Sequence, residues 1–274
     1  MNFKEVLENL PKLNIYKDID LNLTISYRYR KVRSKDTILF LHGFNGNSKS
    51  WAYQFQFFKN VNSVIAIDAP GFGKSEASVI DMETIADIVV RLIKSLNISK
   101  FHVVGHSMGG MLAQILGSKY NTYIDKLVLS CTFKGYGMAK ETPLMEAYQK
   151  RIRDRKNMSD KQYGKYRIRE MLPKQKEDEV FDFLSTISGE ISERSIKSGG
   201  MAMQYLDTTD YLHLIKNECL IIRASKDKVV SKNQLDLLIK DIPHAKVKEL
   251  LNVGHAPYCE NAPSYNNLLA KFIQ

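Results

Sequence analysis

Cysteine is scarce in this chain of 274 residues, and its few positions are poorly suited to covalent or metal-binding roles. The three cysteines, Cys131, Cys219 and Cys259, are an odd number without close spacing, which predicts neither a disulfide framework nor a zinc site. Cys131 and Cys219 border predicted core strands, where a free cysteine behaves as a small apolar residue. Because no histidine or carboxylate pair shows ligand spacing either, we predict no metal and no other cofactor.

Long apolar runs are also missing from the sequence. No stretch approaches the roughly 18 apolar residues that indicate a membrane-spanning helix. The first five residues lack the charged-then-apolar layout of a secretory signal. From these absences we predict a cytoplasmic protein with no membrane partner. The length allows one large domain or two small ones, and the chain contains no internal repeat.

The chain is basic, with 40 Lys and Arg against 30 Asp and Glu and a net charge of +10. The excess is concentrated in residues 134–176, which contain 13 basic and 5 acidic residues, and an acidic patch follows at residues 177–179. No recognisable nucleic-acid motif accompanies this charge, so we predict no nucleic-acid partner. A solvated helical surface explains the excess more simply than a specific acidic partner does.

Apolar runs alternate with helical patterns along most of the chain. The patterns predict strands at 21–32, 37–41, 63–67, 101–104, 126–130, 220–224 and 246–251, and helices at 51–58, 82–96, 111–116 and 263–273. Continuous apolar strands separated by helices indicate an α/β fold, a mostly parallel twisted sheet with helices on both faces. Residues 133–205 are instead polar and helical in character. We therefore predict a core formed by residues 1–132 and 206–274, interrupted by a helical insertion at residues 133–205.

The most informative motif surrounds Ser107, which lies in the pattern Gly-x-Ser-x-Gly. This pattern is typical of a tight strand-to-helix turn that exposes the serine hydroxyl. Glycine is required at positions 105 and 109, because a side chain on Gly105 or Gly109 would collide with the neighbouring helix or strand. The flanking segments agree, since residues 101–104 predict a buried strand and residues 111–116 the helix that follows.

A serine hydroxyl is a weak nucleophile near neutral pH and needs a base, which in turn needs an orienting carboxylate. Asp227 and His255 follow Ser107 in the order expected for this turn, each just beyond a predicted strand. Loops at the carboxyl ends of parallel strands are where such sheets place their sites. Asp227 also fits a surface turn flanked by lysines. We expect His42 and His106 to shape the site without acting as its base. The histidines that compete with His255 for the role of base are His42, His102, His106, His213 and His244.

Together these segments resemble the α/β-hydrolase fold family from about residue 20 to the C-terminus. Residues 41–44 resemble its oxyanion-hole loop, residues 68–75 its D-x-P-G-x-G-x-S segment, and residues 225–230 and 254–255 its acid and histidine loops. The Gly-Lys-Ser end of residues 68–75 does not complete a phosphate loop, because Asp68 stands where the first glycine is required. The resemblance implies a member similar to serine carboxylesterases and enol-lactone hydrolases, in which residues 133–205 form a helical cap.

The resemblance also implies a role for each site residue. Ser107 would be the nucleophile, His255 the general base and then acid, and Asp227 the partner that orients His255. The backbone N–H groups of Phe44 and Met108 would form the oxyanion hole, in which each donor is worth about 3–4 kcal/mol. Some family members carry the acid after the strand that ends here at residue 130. This chain has cysteine and threonine at the next two positions, which favours Asp227.

A serine nucleophile excludes the relatives that attack alkyl halides or epoxides with aspartate. Acyl transfer to water from a small ester, thioester, lactone or activated ketone remains. Methyl esterases that act on pimeloyl-acyl carrier protein belong to the same family, and a basic cap suits an acidic acyl carrier protein as a partner. The aromatic and methionine residues of the cap would line an acyl pocket, although helical packing explains most of them. An alternative of another class is a hydrolase-fold ligand receptor with little turnover.

Overall fold

The computed structural model describes residues 3–33, 35–172 and 178–274. Residues 173–177, within the predicted insertion, lie outside this description, and so does the first residue of the predicted acidic patch at 177–179. Within the described ranges, no helix is both long enough and apolar enough to cross a membrane.

The strands form one eight-stranded sheet in the order β1-β2-β4-β3-β5-β6-β7-β8. Strands β3 to β8 pair in parallel, whereas β2 runs antiparallel to both β1 and β4. The predicted α/β fold with a mostly parallel sheet is therefore confirmed. The strands are β1 (Leu13–Asp18), β2 (Leu23–Arg30), β3 (Thr37–Leu41), β4 (Ser63–Ile67), β5 (Phe101–His106), β6 (Ile124–Ser130), β7 (Glu218–Ala224) and β8 (Lys246–Leu250).

Strand β1 was not predicted from the sequence. It lies at the edge of the sheet, and most of its side chains are exposed or only partly buried. Without a fully buried face it lacks the apolar pattern on which strand prediction depends.

Helices follow most of the strands, and a single 3-10 turn at Ser48–Trp51 precedes the second helix. At the start of α3, the Asp81 carboxylate accepts the N–H of Thr84 at 2.9 Å, which satisfies one of the unpaired donors of the first turn. The helices are α1 (Phe3–Glu8), α2 (Ala52–Phe58), α3 (Met82–Ser95), α4 (Met108–Lys119), α5 (Glu146–Asn157), α6 (Asp160–Met171), α7 (Glu179–Ser188), α8 (Glu193–Tyr205), α9 (Thr209–Leu212), α10 (Lys232–Asp241), α11 (Pro257–Glu260) and α12 (Ala262–Ile273).

The sheet separates two apolar cores. Because successive side chains of a strand point to opposite faces, Leu39 and Leu41 of β3 pack with α3 and α4, while Ile38 and Phe40 pack with α2 and α12. Both faces of the central strands are thus buried, which explains why their sequences are continuously apolar rather than alternating.

The segment between β6 and β7 contains the helices α5 to α9, in which α5 packs against α8 and α6 against α7. Its described residues contain no strand, and an isolated bridge joins Gly135 to Asp207 near its two ends. The boundaries at residues 133 and 205 stay a prediction. The insertion leaves the sheet at the end of β6, next to the end of β5, where Ser107 lies.

Candidate active site

Ser107 lies between the last residue of β5 and the first residue of α4, with φ of 52° and ψ of −117°. A positive φ is uncommon for a residue with a side chain, so the surrounding contacts must hold it. The N–H of Ser107 donates to the carbonyl of Ser130 at 2.9 Å, and its carbonyl accepts the hydroxyl of Thr132 at 2.7 Å. The end of β6 thus supports the strained turn from both sides.

The two glycines of the turn allow backbone to approach backbone closely. A Cβ on Gly105 would lie 2.3 Å from the carbonyl oxygen of Gly109, and one on Gly109 would lie 2.2 Å from the carbonyl oxygen of Leu41. Both contacts are far shorter than atoms tolerate, and backbone atoms cannot swing aside as a flexible side chain can. The collision expected at these positions from the sequence is therefore with α4 for Gly105 and with β3 for Gly109.

Two backbone N–H groups near Ser107 are free to bind an oxyanion. Met108 opens α4, where the first amides have no partner within the helix and the positive end of the helix dipole is directed at the site. Phe44 follows β3 in the loop on the other side of the serine. In the described part of the chain, no residue accepts the N–H of Met108 or that of Phe44.

His42 fixes the loop that contains Phe44. Its Nε2 accepts the N–H of Ala69 at 3.0 Å, so its Nδ1 carries the proton and donates to the carbonyl of Gly43 at 2.8 Å. Burial lowers the pKa of His42, which favours this neutral form. Since both ring nitrogens are engaged, His42 is a structural link between the loop and residues 68–75 and is unsuited to act as the base.

Asp227 and His255 form a hydrogen-bonded pair. Nδ1 of His255 lies 2.9 Å from Oδ2 of Asp227, and Oδ1 of Asp227 accepts the N–H groups of Val229 and Val230. Burial raises the pKa of Asp227, but the His255 ring and these two amides outweigh it, and the net effect is a lowered pKa. An ionised Asp227 keeps the proton on Nδ1 and leaves Nε2 of His255 as the nitrogen that can accept a proton.

Ser107 and His255 line the same cavity, which has a volume of about 320 Å³. Phe44 contributes to the wall beside them, and Asp227 lies behind the histidine. No hydrogen bond joins Ser107 to His255 in this structure, and catalytic hydrogen bonds commonly tighten only when substrate binds. The structure thus brings all the predicted site residues together at the carboxyl ends of the parallel strands.

Among the described residues, no carboxylate pairs with any of the remaining histidines inside the cavity. The ring of His106 lies 4.8 Å from that of His255, and burial together with His255 places the pKa of His106 well below its ordinary value. His102 is buried 3.7 Å from Asp125, away from the cavity. His213 and His244 are exposed on the surface. His255 is therefore the best-placed base among the described histidines.

Glu260, which no sequence motif indicated, supports the histidine loop. Its carboxylate accepts the N–H of Gly254 at 2.8 Å and that of Ala256 at 2.9 Å, the two residues that flank His255. Burial raises the pKa of Glu260 above its ordinary value. The only signal in the sequence is an acidic residue shortly after the histidine, which acquires meaning once the turn at residues 254–256 is known.

Cys131 lies next to the acid–histidine pair. Its sulfur and the ligand atoms of Asp227 and His255 are all within 4.8 Å of one another, a grouping that is geometrically able to hold a metal ion. Burial and the Asp227 carboxylate raise the pKa of the Cys131 thiol well above its ordinary value, which disfavours the thiolate that metals bind. Since Asp227 and His255 already bond each other, these groups suit an acid–histidine pair better than a metal centre.

Comparison with known proteins agrees with this geometry. A family model described as the alpha/beta hydrolase fold matches residues 36–262. A 2-hydroxy-6-oxononadienedioate/2-hydroxy-6-oxononatrienedioate hydrolase of Escherichia coli is 28% identical over 263 residues, covering 87% of each chain. The protein of the same name from Paraburkholderia phymatum is also 28% identical, over 267 residues and with the same coverage.

Two solved structures illustrate the likeness in fold. The enol-lactonase from Burkholderia xenovorans superposes with a TM-score of 0.82 at 19% identity, covering 95% of this chain and 99% of the other. An esterase from Exiguobacterium antarcticum gives a TM-score of 0.81 at 21% identity, covering 95% and 98%. At such identities the superpositions establish the arrangement of the backbone, while the chemistry has to be argued from the side chains.

Proposed function

Because this chain belongs to the α/β-hydrolase fold family, we propose that it is a serine hydrolase that cleaves a carboxylic ester or lactone through an acyl-enzyme intermediate. The resemblance noted in the sequence is confirmed at the level of the family, and the relatives are hydrolases. We thus propose both the specificity for esters and the roles of the individual residues.

One observation carries the proposal: Ser107 and the Asp227-bonded His255 line a single cavity. In the first step Ser107 Oγ attacks the carbonyl carbon while its proton passes to Nε2 of His255. The N–H groups of Phe44 and Met108 receive the negative charge that develops on the carbonyl oxygen. His255 then gives the proton to the leaving alkoxide, the C–O bond breaks, and the acyl group remains on Ser107.

The second half of the reaction returns the enzyme to its starting state. A water molecule loses a proton to His255 and attacks the acyl carbon, and the same two N–H groups receive the oxyanion. His255 donates that proton to Ser107 Oγ as the acyl–oxygen bond breaks, which releases the carboxylic acid. Asp227 stays ionised throughout and stabilises the positively charged His255 that forms in each half.

The same residues would serve an activated ketone, and the E. coli and P. phymatum relatives bear the names of 2-hydroxy-6-oxo acid hydrolases. A 2-hydroxy-6-oxo acid therefore belongs in the substrate panel beside esters and lactones. If such an acid is turned over with a kcat/KM far above that of every ester, hydrolysis of an activated ketone replaces ester hydrolysis as the proposed reaction.

A carrier-protein methyl ester remains an alternative substrate, motivated by the basic cap. On the outer surface of α5 and α6, however, much of that charge is already paired within the chain, in the pairs Lys150–Asp154, Arg153–Glu146 and Arg155–Asp160. If a carrier protein docks there, carrier-linked methyl esters should turn over faster than short free esters, and added salt should slow them.

Hydrolysis of p-nitrophenyl acetate and butyrate tests the proposal directly. Wild type should turn over both esters, and Ser107→Ala should reduce the rate to that of the uncatalysed reaction with hydroxide and buffer. Ser118→Ala is the matched control, because Ser118 lies on the same helix and donates only to the carbonyl of Ile115. Equal rates for wild type and Ser107→Ala would overturn the assignment of Ser107 as the nucleophile. If the wild type binds a ligand but hydrolyses neither ester, the protein is better described as a receptor.

A further inference from the structure

The cavity that contains Ser107 is lined by an excess of positive charge. Arg151 on α5, Arg167 on α6 and Lys228 after β7 all contribute to its wall, and among the described lining residues only Glu170 adds a carboxylate. Basic residues on a protein surface are ordinary, but these guanidinium groups lie inside the insertion, over the predicted nucleophile. A cavity of one sign concentrates ligands of the opposite sign.

Arg151 has no carboxylate partner among the described residues. Its guanidinium carbon lies 5.2 Å from the ring centre of Phe44 and 5.4 Å from that of Tyr148. Burial, followed by the positive charge of Arg167, lowers the pKa of Arg151. An arginine that stacks on aromatic rings uses the face of its guanidinium, so the N–H groups at its edge remain available to a ligand.

Neighbouring basic residues of α5 behave differently. Those that point away from the cavity each have a carboxylate of the same chain, in the pairs Lys150–Asp154, Arg153–Glu146 and Arg155–Asp160. The exposed Lys150 and Arg153 and the partly buried Arg155 are thus paired within the chain, while the cation that lines the cavity is not. Arg151 is itself partly buried, and a charge that loses part of its hydration is costly without a counter-ion, so this arrangement indicates that a ligand provides the missing anion.

Arg167 reinforces the same site. Its side chain is only 8% exposed, and it bonds Glu170 through one terminal nitrogen. Its Nε is buried without a hydrogen-bond partner in the described chain. This nitrogen has almost no accessible surface and does not open on the cavity, so Arg167 contributes to the site through its charge, which lines the same cavity as Arg151.

We propose that the substrate carries a carboxylate in addition to its scissile ester or lactone group, and that Arg151, supported by Arg167, binds this carboxylate. The inference rests on the proposed hydrolase function and names its substrate class. The planar guanidinium edge matches a carboxylate with two parallel hydrogen bonds. Since Arg151 stacks on Phe44, the bound carboxylate is placed beside the loop that offers an N–H to the reacting carbonyl. The cavity volume of about 320 Å³ suits a short acid.

The test compares two chromogenic esters of equal reactivity, the p-nitrophenyl monoester of glutarate and p-nitrophenyl pentanoate. Wild type should prefer the anionic ester. Arg151→Gln should lower the ratio of the two kcat/KM values by about ten- to a hundredfold, the range of a charge-assisted hydrogen bond, with a partial recovery in Arg151→Lys. Arg167→Gln should lower the ratio less. The matched control is Arg153→Gln, which removes the same charge from the exposed side of α5 and should leave the ratio unchanged.

A binding measurement separates this inference from the proposed reaction. In the Ser107→Ala background, glutarate should raise the melting temperature more than pentanoate does, and adding Arg151→Gln but not Arg153→Gln should remove that difference. The carboxylate site is overturned if Arg151→Gln leaves the ratio of the two kcat/KM values within twofold of wild type. It is also overturned if glutarate and pentanoate raise the melting temperature equally. If neither ester shows Ser107-dependent hydrolysis, the proposed function fails instead, and the glutarate measurement still decides the site.

Discussion

His255 and Asp227 are joined at 2.9 Å between Nδ1 and Oδ2, and the second oxygen of the same carboxylate accepts the backbone N–H groups of Val229 and Val230. The carboxylate is thus oriented by the turn that follows β7 before it orients the histidine. This backbone support explains how the carboxylate of an acid in a loop can keep a single orientation. One of its oxygens is fixed by the two amides, and the other bonds the histidine.

Replacing Asp227 by Asn should lower kcat for p-nitrophenyl butyrate by about three to four orders of magnitude, because the amide favours the wrong tautomer of His255. The melting temperature reports whether the fold survives. Asp236→Asn is the control, since Asp236 is half-exposed on α10 and lies 3.9 Å from Arg223. A loss of less than tenfold in Asp227→Asn would show that His255 does not depend on this carboxylate.

The same pair should contribute to stability in a pH-dependent way. The pKa of Asp227 is lowered in the folded protein from an ordinary value of 3.8. The ionised carboxylate therefore stabilises the fold fully above about pH 4, and this contribution is lost as the pH falls through the lowered folded-state value. Thermal unfolding from pH 3 to pH 7 should show the difference between wild type and Asp227→Asn shrinking toward the acid end. A difference that grows toward low pH would contradict the lowered pKa.

Glu260 should act as a positioning residue for His255. Glu260→Ala leaves the N–H groups of Gly254 and Ala256 without their acceptor, and we expect kcat to fall about ten- to a hundredfold with little change in KM. Glu260→Gln keeps one acceptor oxygen and should restore part of the rate. Glu218→Gln, an exposed partner of Lys246, is the control. If both Glu260 variants lose thermal stability equally while kcat per folded molecule is unchanged, the role of Glu260 is purely structural.

Gly109 and Gly117 lie on the same helix and should respond differently to alanine. A Cβ on Gly109 would meet the carbonyl oxygen of Leu41 at 2.2 Å, so Gly109→Ala should destabilise the protein by about 3 kcal/mol and distort the turn at Ser107. The one close contact of a Cβ on Gly117 would be with a side-chain methyl of Leu127 at 2.8 Å, which is able to move, and its contacts with Ile215 at 3.6 and 3.8 Å are ordinary. Chemical unfolding of both variants should therefore show the larger loss for Gly109→Ala, and the opposite order would refute the close-approach argument.

The cysteines should be unreactive in the folded protein. All three are buried, and burial raises each thiol pKa, to about 12 for Cys219 and well above the ordinary value for Cys131 and Cys259. A disulfide reagent such as dithionitrobenzoate should modify them slowly at pH 8 and rapidly after unfolding in guanidinium, with three thiols titrated. Rapid labelling of one native thiol would show that a buried position opens in solution.

Local chemistry explains which parts of the fold and site were predictable. The strands at residues 37–41, 63–67 and 101–104 are buried on both faces, so each left a continuous apolar run, and the structure places β3, β4 and β5 there. The edge strand β1 left no such run because its faces are largely exposed. The turn at Ser107 was recognisable because its constraint is local: the residues two positions before and two positions after the serine must be glycine for the turn to form.

Contacts between distant residues could not be predicted in the same way. Arg151 stacks on Phe44, more than a hundred positions earlier, and nothing in the charge of α5 distinguishes that arginine from the paired ones beside it. The sequence by itself determined the α/β architecture, the serine turn and the candidates for acid and histidine, since these follow from periodicity, from a short motif and from the order of residues after predicted strands. Only the tertiary structure decided which groups meet: Glu260 with the His255 loop and two arginines with the cavity. Those contacts arise from packing of separate elements, which no local pattern encodes.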